Sequence, residues 1–345
     1  MAELRIFGGG IFGLSIAWEA ARRGARVELV DPMGPGAGAS GGPVGALAPH
    51  VPELWTPKKQ MQFEALDRAD AFWCDVTAAG GVAAGYARTG RVQPVADDAA
   101  LALARQRSHS ARDLWQGRYH WSLVPTEDFS GLIHSPTGWL IHDTLSARVD
   151  PRRACAALVA AIQARGGRIL PDASDRAAVE IWATGVAGLA KLSREIGRSA
   201  GGGVKGQAAL LQADLGQDAP QIFAEALHIV PHDNGTVAIG STSERHYSAP
   251  DRTDAQLDAL IDKARDVCPA LRGAPVLDRW AGVRPRAKSR APMLGQHPTR
   301  PGSYMANGGF KIGFGMAPVV AQLMVDLILD GHDAIPPEFR PDASL

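Results

Sequence analysis

The sequence has few cysteines, no excess of either charge and no long apolar run. Its three cysteines, Cys74, Cys155 and Cys268, are widely spaced, which argues against a disulfide framework and favours reduced thiols in a cytosolic protein. Lysine plus arginine equals aspartate plus glutamate, at 36 each, so we expect neither nucleic acid nor an anionic membrane as a partner. The longest apolar stretch, 316–329, has 14 residues and is too short to span a bilayer.

The signature motifs of several enzyme classes are also missing. The sequence has no metal-spaced group of histidines and cysteines, no Gly-x-Ser-x-Gly and no P-loop, since residues 201–205 lack the required spacing and hydroxyl. These absences argue against a metal centre, a serine hydrolase of that type and a P-loop nucleotidase. Only three residues precede the first predicted strand, so we expect no signal or transit peptide and a cytoplasmic protein.

A dinucleotide-binding pattern is present near the start of the chain. Apolar residues 4–7 predict a strand, G-x-G-x-x-G follows at 8–13, and a helix is predicted over 11–23. A second strand is predicted over 27–30 and is followed directly by Asp31. Strand, glycine motif, helix, strand and acid stand in the order that a Rossmann-type nucleotide site requires.

Each glycine of the motif, the helix that follows it and Asp31 have an expected role in such a site. Gly8 permits the tight turn, Gly10 lets the backbone approach a pyrophosphate, and Gly13 lets helix and strand pack closely. The N-terminus of the helix presents unpaired N–H groups and the positive end of its dipole to phosphate. Asp31 can accept hydrogen bonds from a ribose diol.

The rest of the chain predicts further helices and strands. Helices are predicted over 59–75, 97–106, 151–164 (with Asp150 as N-cap), 254–267 and 316–328. Extended segments are predicted at 138–142, 147–149, 168–170, 179–183, 208–212, 227–231, 236–240 and 303–306, with residues 86–95 as a hairpin arm turning through 89–91. Glycine-rich segments at 34–46 and 307–315 indicate backbone that passes close to a flat or charged group. A flexible linker is the alternative for the first of them.

Short motifs in fixed order along nearly the whole chain resemble those of the FAD-dependent D-amino acid oxidase superfamily, closest in pattern to glycine oxidases. The pattern is also similar to the oxidase half of a bifunctional tRNA-modification enzyme. The motifs are residues 8–13 with Asp31, 39–46, 150–151, 183–185, 205–207, 229–231, 239–242, 280–285, 293–295 and 307–318.

The resemblance implies an α/β fold with a Rossmann-like FAD-binding domain and a mostly antiparallel substrate domain. The FAD-binding domain is predicted to comprise residues 1–54, 143–204 and 276–345. The substrate domain is predicted to comprise residues 55–142 and 205–275. FAD is expected to bind non-covalently, because no cysteine lies within the flavin-lining motifs. The implied cofactor residues are Gly8, Gly10, Ile11, Phe12, Gly13, Asp31, Ala39, Ser40, Gly41, Ala46, Leu47, Thr184, Gly185, Gly308, Gly309, Phe310, Lys311, Ile312 and Gly313.

Two features depart from the family pattern. Asp31 stands where relatives usually have glutamate, although the shorter carboxylate can still hold a ribose diol. About 30 residues separate Asp150 from Ala183, where relatives usually place several extra strands. The contacts on the adenine side are therefore the least defined part of the predicted site.

The resemblance also suggests which side chains meet the substrate. Arg284 corresponds to the family arginine that binds the substrate carboxylate, and its guanidinium suits bidentate binding. A structural arginine is the alternative. His228 stands where glycine oxidases have a carboxylate-binding tyrosine, and Lys311 where they have an arginine over the flavin edge. An ordinary strand histidine and a solvated loop lysine are the alternatives.

Three further expectations concern neighbouring side chains. His228 should lie beside Arg284, whose guanidinium would lower the pKa of the imidazole. His50, just beyond the flavin loop, could face the ring, but a plain loop histidine is the favoured interpretation. Trp280 is expected to be a core residue.

These features indicate an enzyme that oxidises a small amine, with an amino acid or N-alkyl amino acid as the predicted substrate. The resemblance implies hydride transfer from the α-carbon to flavin N5, imine hydrolysis, and oxygen or another electron acceptor. One alternative is a nicotinamide-dependent dehydrogenase with the same opening fold. Others are a flavoprotein of tRNA modification and a non-catalytic flavin-binding module.

Overall fold

A computed structural model describes residues 3–173, 177 and 179–345. The strands are β1 (Glu3–Phe7), β2 (Arg26–Val30), β3 (Ala46–Leu47), β4 (Arg91–Pro94), β5 (Trp121–Pro125), β6 (Trp139–Asp143), β7 (Ala147–Arg148), β8 (Arg168–Leu170), β9 (Val179–Trp182), β10 (Gly201–Gln212), β11 (Gln221–Ala224), β12 (Leu227–Pro231), β13 (Thr236–Gly240), β14 (Val276–Ala287), β15 (Met293–Gln296) and β16 (Tyr304–Asn307). The helices are α1 (Ile11–Arg22), α2 (Pro57–Asp67), α3 (Ala69–Gly80), α4 (Asp98–Leu114), α5 (Pro151–Ala164), α6 (Gly185–Glu195), α7 (Ala255–Val267) and α8 (Gly313–Asp330).

The first sheet has six strands in the order β15-β16-β9-β1-β2-β8. All of its pairs are parallel except β15 with β16. Its central strand β1 is buried because α1 packs over the sheet and is itself covered by α5 and α8. Five parallel strands, β1, β2, β8, β9 and β16, therefore present their carboxyl ends at one edge, which is where nucleotide sites form in such sheets.

The second sheet has eight strands in the order β14-β10-β13-β12-β11-β4-β6-β5. Its pairs are antiparallel except for the parallel pair of β11 with β4. One face buries apolar side chains against α7, whose N-cap Asp254 accepts a hydrogen bond from the Gln256 amide. The two sheets confirm the predicted α/β class with a mostly antiparallel second part.

The helix beginning at Pro151 illustrates a boundary that local chemistry determines. Asp150 accepts hydrogen bonds from the amides of Arg152 and Arg153 at 3.0 and 3.2 Å, and proline occupies the first helical position. The chain leaves the helix through Gly166, which has a φ of +80°. The predicted bounds of this helix, 151–164, are confirmed.

Two predicted elements are wrong. The single helix expected over 59–75 is two helices, α2 and α3, which meet at Arg68 because α2 packs against α8 and α3 against α5. The hairpin expected over 86–95 does not form. Its second half is β4, which pairs with β6 and β11, whereas Ala87 bridges Arg148 on the other side of the turn at Gly90.

The helix at the C-terminal end of the fold is longer than its apolar stretch suggested. By length and composition alone, α8 meets the requirements of a membrane span, with a mean hydropathy of 1.4. Half of that window is buried inside the protein, where it packs against α1 and α2. A buried core helix of this kind gives no indication of a membrane span.

The proposed division of the chain into two parts stays a prediction. The first sheet and its helices come from 3–30, 151–195 and 293–330, which mostly follows the expected FAD part. Strand β14, however, pairs with β10 in the second sheet although it was assigned to that part.

Candidate active site

A cavity of about 940 Å³ lies at the carboxyl edge of the first sheet and extends to the second. One end is lined by residues following β1, β2 and β9, and the other by strands of the antiparallel sheet. Its principal lining residues are Gly8, Gly10, Ile11, Phe12, Asp31, Met33, residues 37–40 and 42–46, Asp172, residues 182–187, Phe223, His228, Ser241, Trp280, residues 283–285, 306–311 and 313–315. The cavity is long and partly apolar, with few charged side chains.

Two positions of the motif after β1 accept no residue other than glycine. Gly8 has a φ of +105°, and a Cβ there would lie 2.4 Å from the Ala183 carbonyl oxygen. A Cβ on Gly13 would lie 1.9 Å from the carbonyl oxygen of Gly8. These contacts bring α1 and β9 together around the turn, so the backbone around Gly10 faces the cavity.

Asp31 and Ser40 hold this turn from the other side. The Gly9 amide donates to Asp31 Oδ2 at 2.7 Å, and the Met33 amide donates to Oδ1 at 2.9 Å. The Ile11 amide donates to Ser40 Oγ at 3.0 Å. Asp31 therefore orders the turn that follows β1. Because Asp31 also lines the cavity, it can still make the predicted contact with a ribose.

Three helix N-termini lie at the cavity, and none is capped by the side chain of its own N-cap residue. They are the start of α1 after Gly10, the start of α6 after Thr184 and the start of α8 after Ile312. Such ends carry partial positive charge and N–H groups without an intrahelical partner, of which Ser40 uses one on α1, and they suit anionic groups of a ligand. The cradle of glycines and the three helix ends fit a dinucleotide such as FAD.

The loop that lines the middle of the cavity is closely packed at its later glycines. A Cβ on Gly45 would lie 1.9 Å from the Val149 carbonyl oxygen, and one on Gly42 would lie 3.1 Å from the Trp280 ring, whereas one on Gly38 would meet nothing within 4 Å. This packing explains the later glycines of the run, and it replaces the flexible-linker interpretation there. Trp280 is half-buried and lines the cavity, so its assignment to the core is wrong.

Arg284 lies at the far end of the cavity and is held by the protein. Its Nη1 donates to Ser241 Oγ at 2.5 Å, and its Nη2 donates to the carbonyl oxygens of Lys205 and Thr242 at 3.1 and 2.7 Å. Its Nε is buried without a partner. Of the five N–H groups only two are unused, one on Nη1 and one on Nε.

The charge of Arg284 has no carboxylate ion-pair partner among the described residues. The residue is 9% exposed, and burial lowers its pKa to about 10 although Glu244 acts in the opposite direction. Of the other buried cations in the described chain, Arg5, Arg91 and Lys205 have carboxylate partners, whereas Arg148 donates to backbone carbonyls and does not line the cavity. An unpaired buried cation facing a cavity is suited to an anionic ligand.

His228 lies on β12 and also lines the cavity. Burial, with the charges of Arg91 and Lys311, lowers its pKa to about 3, so its imidazole is neutral at neutral pH. Its Nδ1 is buried without a partner, and its ring lies 4.6 Å from that of Phe223. The direction of the pKa change is the predicted one, but its causes are burial and cations other than Arg284.

Three cations surround the ring of Phe310 at the mouth of this end. The charged groups of Arg284, Arg286 and Lys311 lie 5.7, 5.6 and 5.8 Å from the ring centre. Lys311 has an exposed side chain, and its partial desolvation together with the nearby Arg284 lowers its pKa. Among the described residues, no carboxylate forms an ion pair with any of the three.

Most of the residues implied by the resemblance do line this one cavity, including Arg284, His228 and Lys311. Four do not. Gly13 and Gly41 face backbone inside the turn and the loop, Leu47 is in the core, and Ile312 is the N-cap of α8. The assignment of site residues as a whole stays a prediction.

His50 does not belong to the described lining. Its Nδ1 pairs with Gln62, and burial lowers its pKa. Side chains without a predicted role do reach the cavity, notably Ser241, Phe223 and Trp182. Ser241 lies within a quoted motif, but only the fold shows that its hydroxyl holds Arg284.

A parallel sheet with a glycine turn and an antiparallel sheet share one cavity. This arrangement is that of an enzyme that uses a nucleotide cofactor and has two sheets. Residues 4–327 match the family described as FAD dependent oxidoreductase (DAO). The chain belongs to this family of FAD-dependent oxidases and dehydrogenases, which sets aside the nicotinamide-dependent alternative.

Individual relatives are distant in sequence and similar in fold. A glycine oxidase of Geobacillus kaustophilus is 24% identical, over 94% of this chain and 92% of the relative. The crystal structure of glycine oxidase from that organism has a TM-score of 0.84 at 22% identity, covering 99% of this chain and 98% of the other. The structure of an iminodiacetate oxidase from Chelativorans sp. BNC1 has a TM-score of 0.84 at 20% identity, covering 98% of each chain.

Proposed function

We propose that this protein uses non-covalent FAD to oxidise a small amine that carries a carboxylate, such as an amino acid or an N-alkyl amino acid. The observation that carries the proposal is Arg284, a buried guanidinium without a carboxylate partner that faces the cavity. The names of the two relatives, glycine oxidase and iminodiacetate oxidase, describe substrates of this kind. The electron acceptor and a cytoplasmic location stay predictions.

The residues around Arg284 support a role in positioning. Ser241 and two backbone carbonyls use three of its N–H groups, so the guanidinium is fixed before any ligand arrives. A substrate carboxylate can accept from the remaining N–H on Nη1. Bidentate binding by Arg284 alone is not supported, because both N–H groups of Nη2 are already used. A second donor must come from a neighbour, and His228 or Lys311 lies on the same cavity.

The described lining offers no strong base at this end. Its carboxylates, Asp31 and Asp172, come from the loops that follow β2 and β8 in the first sheet, and His228 has a pKa of about 3. FAD, when bound, supplies the two-electron acceptor for a C–H bond next to an amine nitrogen. The chain's own contribution is then to hold the carboxylate, shield the site from water and orient the α-carbon. The expected product is an imine that hydrolyses in water.

The test is an anaerobic screen of amines against the FAD-loaded protein, followed by the flavin absorbance. We expect carboxylated amines to bleach the flavin and their decarboxylated counterparts to react far more slowly. The matched pairs are glycine with methylamine and sarcosine with dimethylamine. Bleaching by neither member of any pair, or faster bleaching by the amine without a carboxylate, would overturn the proposal.

A further inference from the structure

The charges at the substrate end of the cavity exceed what one carboxylate can neutralise. Two cationic side chains, Arg284 and Lys311, line this end, and Arg286 lies beside the same Phe310 ring. The carboxylates of the described lining, Asp31 and Asp172, belong to the nucleotide half. Elsewhere in the described chain, most half-buried or buried cations are ion-paired, as Arg91 is with Asp143 and Lys205 with Glu244.

The third polar side chain at this end cannot balance that charge. His228 is neutral, since burial and nearby cations lower its pKa to about 3, and its Nδ1 is buried without a partner. It can exchange a hydrogen bond with a ligand but brings no charge. The net charge of the lining at this end is therefore positive by two, and an amino acid with one carboxylate leaves at least one cation unpaired.

Cations outside the lining increase this excess. Lys58 donates to the Arg290 carbonyl oxygen at 2.6 Å, and burial with the charges of Arg290 and Arg286 lowers its pKa. None of Lys58, Arg286 and Arg290 has a carboxylate ion-pair partner among the described residues. In a chain with no net charge, these groups concentrate positive potential at one mouth, which favours ligands of higher negative charge.

We propose that Lys311 forms a second anion subsite, so that the preferred ligands carry an anionic group in addition to the carboxylate held by Arg284. This rests on the proposed function and narrows its substrate class to amines with two acidic groups. Arg284 is anchored by Ser241 and two carbonyls, which fixes the first anion. Lys311 lies beside the same Phe310 ring with an exposed side chain, and its three N–H donors are available to the second.

The subsite can be tested without turnover by ligands that have no amine to oxidise. Thiodiacetate carries two carboxylates, and (methylthio)acetate carries one on the same thioether. Both are titrated into the FAD-loaded protein, and the dissociation constant is read from the change in flavin absorbance and by calorimetry. We expect the diacid to bind at least tenfold more tightly, because it adds a charge-assisted contact.

Three variants assign that difference to a residue. Lys311→Gln should raise the dissociation constant of thiodiacetate about tenfold and that of (methylthio)acetate less than threefold. Lys311→Arg should restore most of the preference for the diacid. Lys288→Gln removes an exposed lysine from the turn after β14, outside the lining, and should change neither constant more than twofold. FAD affinity, measured by flavin fluorescence, should be unchanged in all three.

The other outcomes separate the subsite from the function it rests on. Equal affinities for diacid and monoacid, or equal losses for both in Lys311→Gln, would overturn the subsite while leaving amine oxidation intact. A weaker hold on FAD in Lys311→Gln would assign the lysine to the cofactor instead. Failure of every amine to bleach the flavin would overturn the proposed function, and these binding constants would still report on the subsite.

Discussion

At the scale of single residues, Arg284 carries the strongest prediction. Arg284→Ala should lower kcat/KM for carboxylated amines by about two to three decades while FAD remains bound, because removing one partner of a desolvated ion pair costs roughly 3–5 kcal/mol. Arg279→Ala is the matched control, since that arginine lies on the same strand and pairs at the surface with Asp258. A loss below tenfold, or an equal loss in the control, would contradict the assigned role.

His228 leads to a prediction about hydrogen bonding rather than charge. Its pKa of about 3 keeps the imidazole neutral in the free protein, so ligand affinity should not follow a histidine titration near pH 6.5. His228→Tyr retains an O–H donor and should keep binding within about threefold. His228→Phe should bind the ligand roughly tenfold more weakly, since a hydrogen bond to a charged group contributes about 1.5–3 kcal/mol.

The measurement for His228 is a pH series of (methylthio)acetate binding, read from the flavin spectrum in wild type and both variants. Identical affinities in all three would return His228 to the status of an ordinary strand histidine. A clear inflection near pH 6.5 in wild type that disappears in both variants would instead show a charged imidazole in the bound state.

At the scale of elements, strand β10 is the surface against which the Arg284 guanidinium packs. A Cβ on Gly206 would lie 2.3 Å from Arg284 Nη2, whereas one on Gly202 of the same strand meets nothing within 4 Å. Gly206→Ala should therefore displace Arg284 and reproduce most of the loss in kcat/KM of Arg284→Ala, with FAD still bound. Gly202→Ala should leave kcat/KM within about twofold of wild type. Matching kinetics in the two glycine variants would show that Arg284 tolerates the intrusion.

Elements with local signals could be predicted from the sequence, and those defined by distant partners could not. The first strand, helix α1 and helix α5 carry their own caps, glycines and apolar spacing. Strand β14 contains Gly282 and Pro285 and pairs with β10, which is about 75 residues earlier in the chain. The split at Arg68 depends on which helices α2 and α3 meet. No local pattern carries such information.

The site shows the same division. Glycine turns and Arg284 could be placed from motifs, because their chemistry requires those residue types. The positions of Trp280 on the cavity and of Ser241 beside Arg284 follow from the fold, which brings β14 and the segment after β13 together. Likewise, the neutrality of His228 follows from burial on β12 and from Arg91, which lies on a strand far from it in the sequence.

At the scale of the whole molecule, we expect FAD to be released intact on denaturation. Cys155 is the cysteine that contacts the cavity-lining loop, and burial raises its pKa to about 12, so its thiol is a poor nucleophile. Acid precipitation should leave the yellow colour in the supernatant at about one FAD per chain. A yellow pellet would demonstrate a covalent bond, with a histidine as the first residue to examine.

Buried histidines should make the protein sensitive to mild acid. Their pKa values are lowered, mainly by burial, at His50, His142, His228, His232 and His297. The folded-state pKa lies below the unfolded value of about 6.5, so the stabilisation is complete above pH 6.5 and declines as the pH falls. Each fully neutral histidine contributes up to about 1.4 kcal/mol per pH unit in that window.

The check is urea unfolding between pH 7.5 and 5.5 with saturating FAD. His142→Gln, on β6 away from the cavity, should reduce the slope of unfolding free energy against pH. His109→Gln, on the exposed face of α4, is the matched control. A free energy of unfolding that stays constant over this pH range would contradict the expectation.

The span of the cavity lining along the chain bears on how the protein is made. Lining residues run from Phe7 to Gly315, and the last of them form the first turn of α8, which packs against α1. A chain still emerging from the ribosome has its first phosphate-binding turn long before it has the strand and helix that complete the cavity. We therefore expect cofactor loading to be a late event in biosynthesis, which stabilises those chains whose last helix has docked.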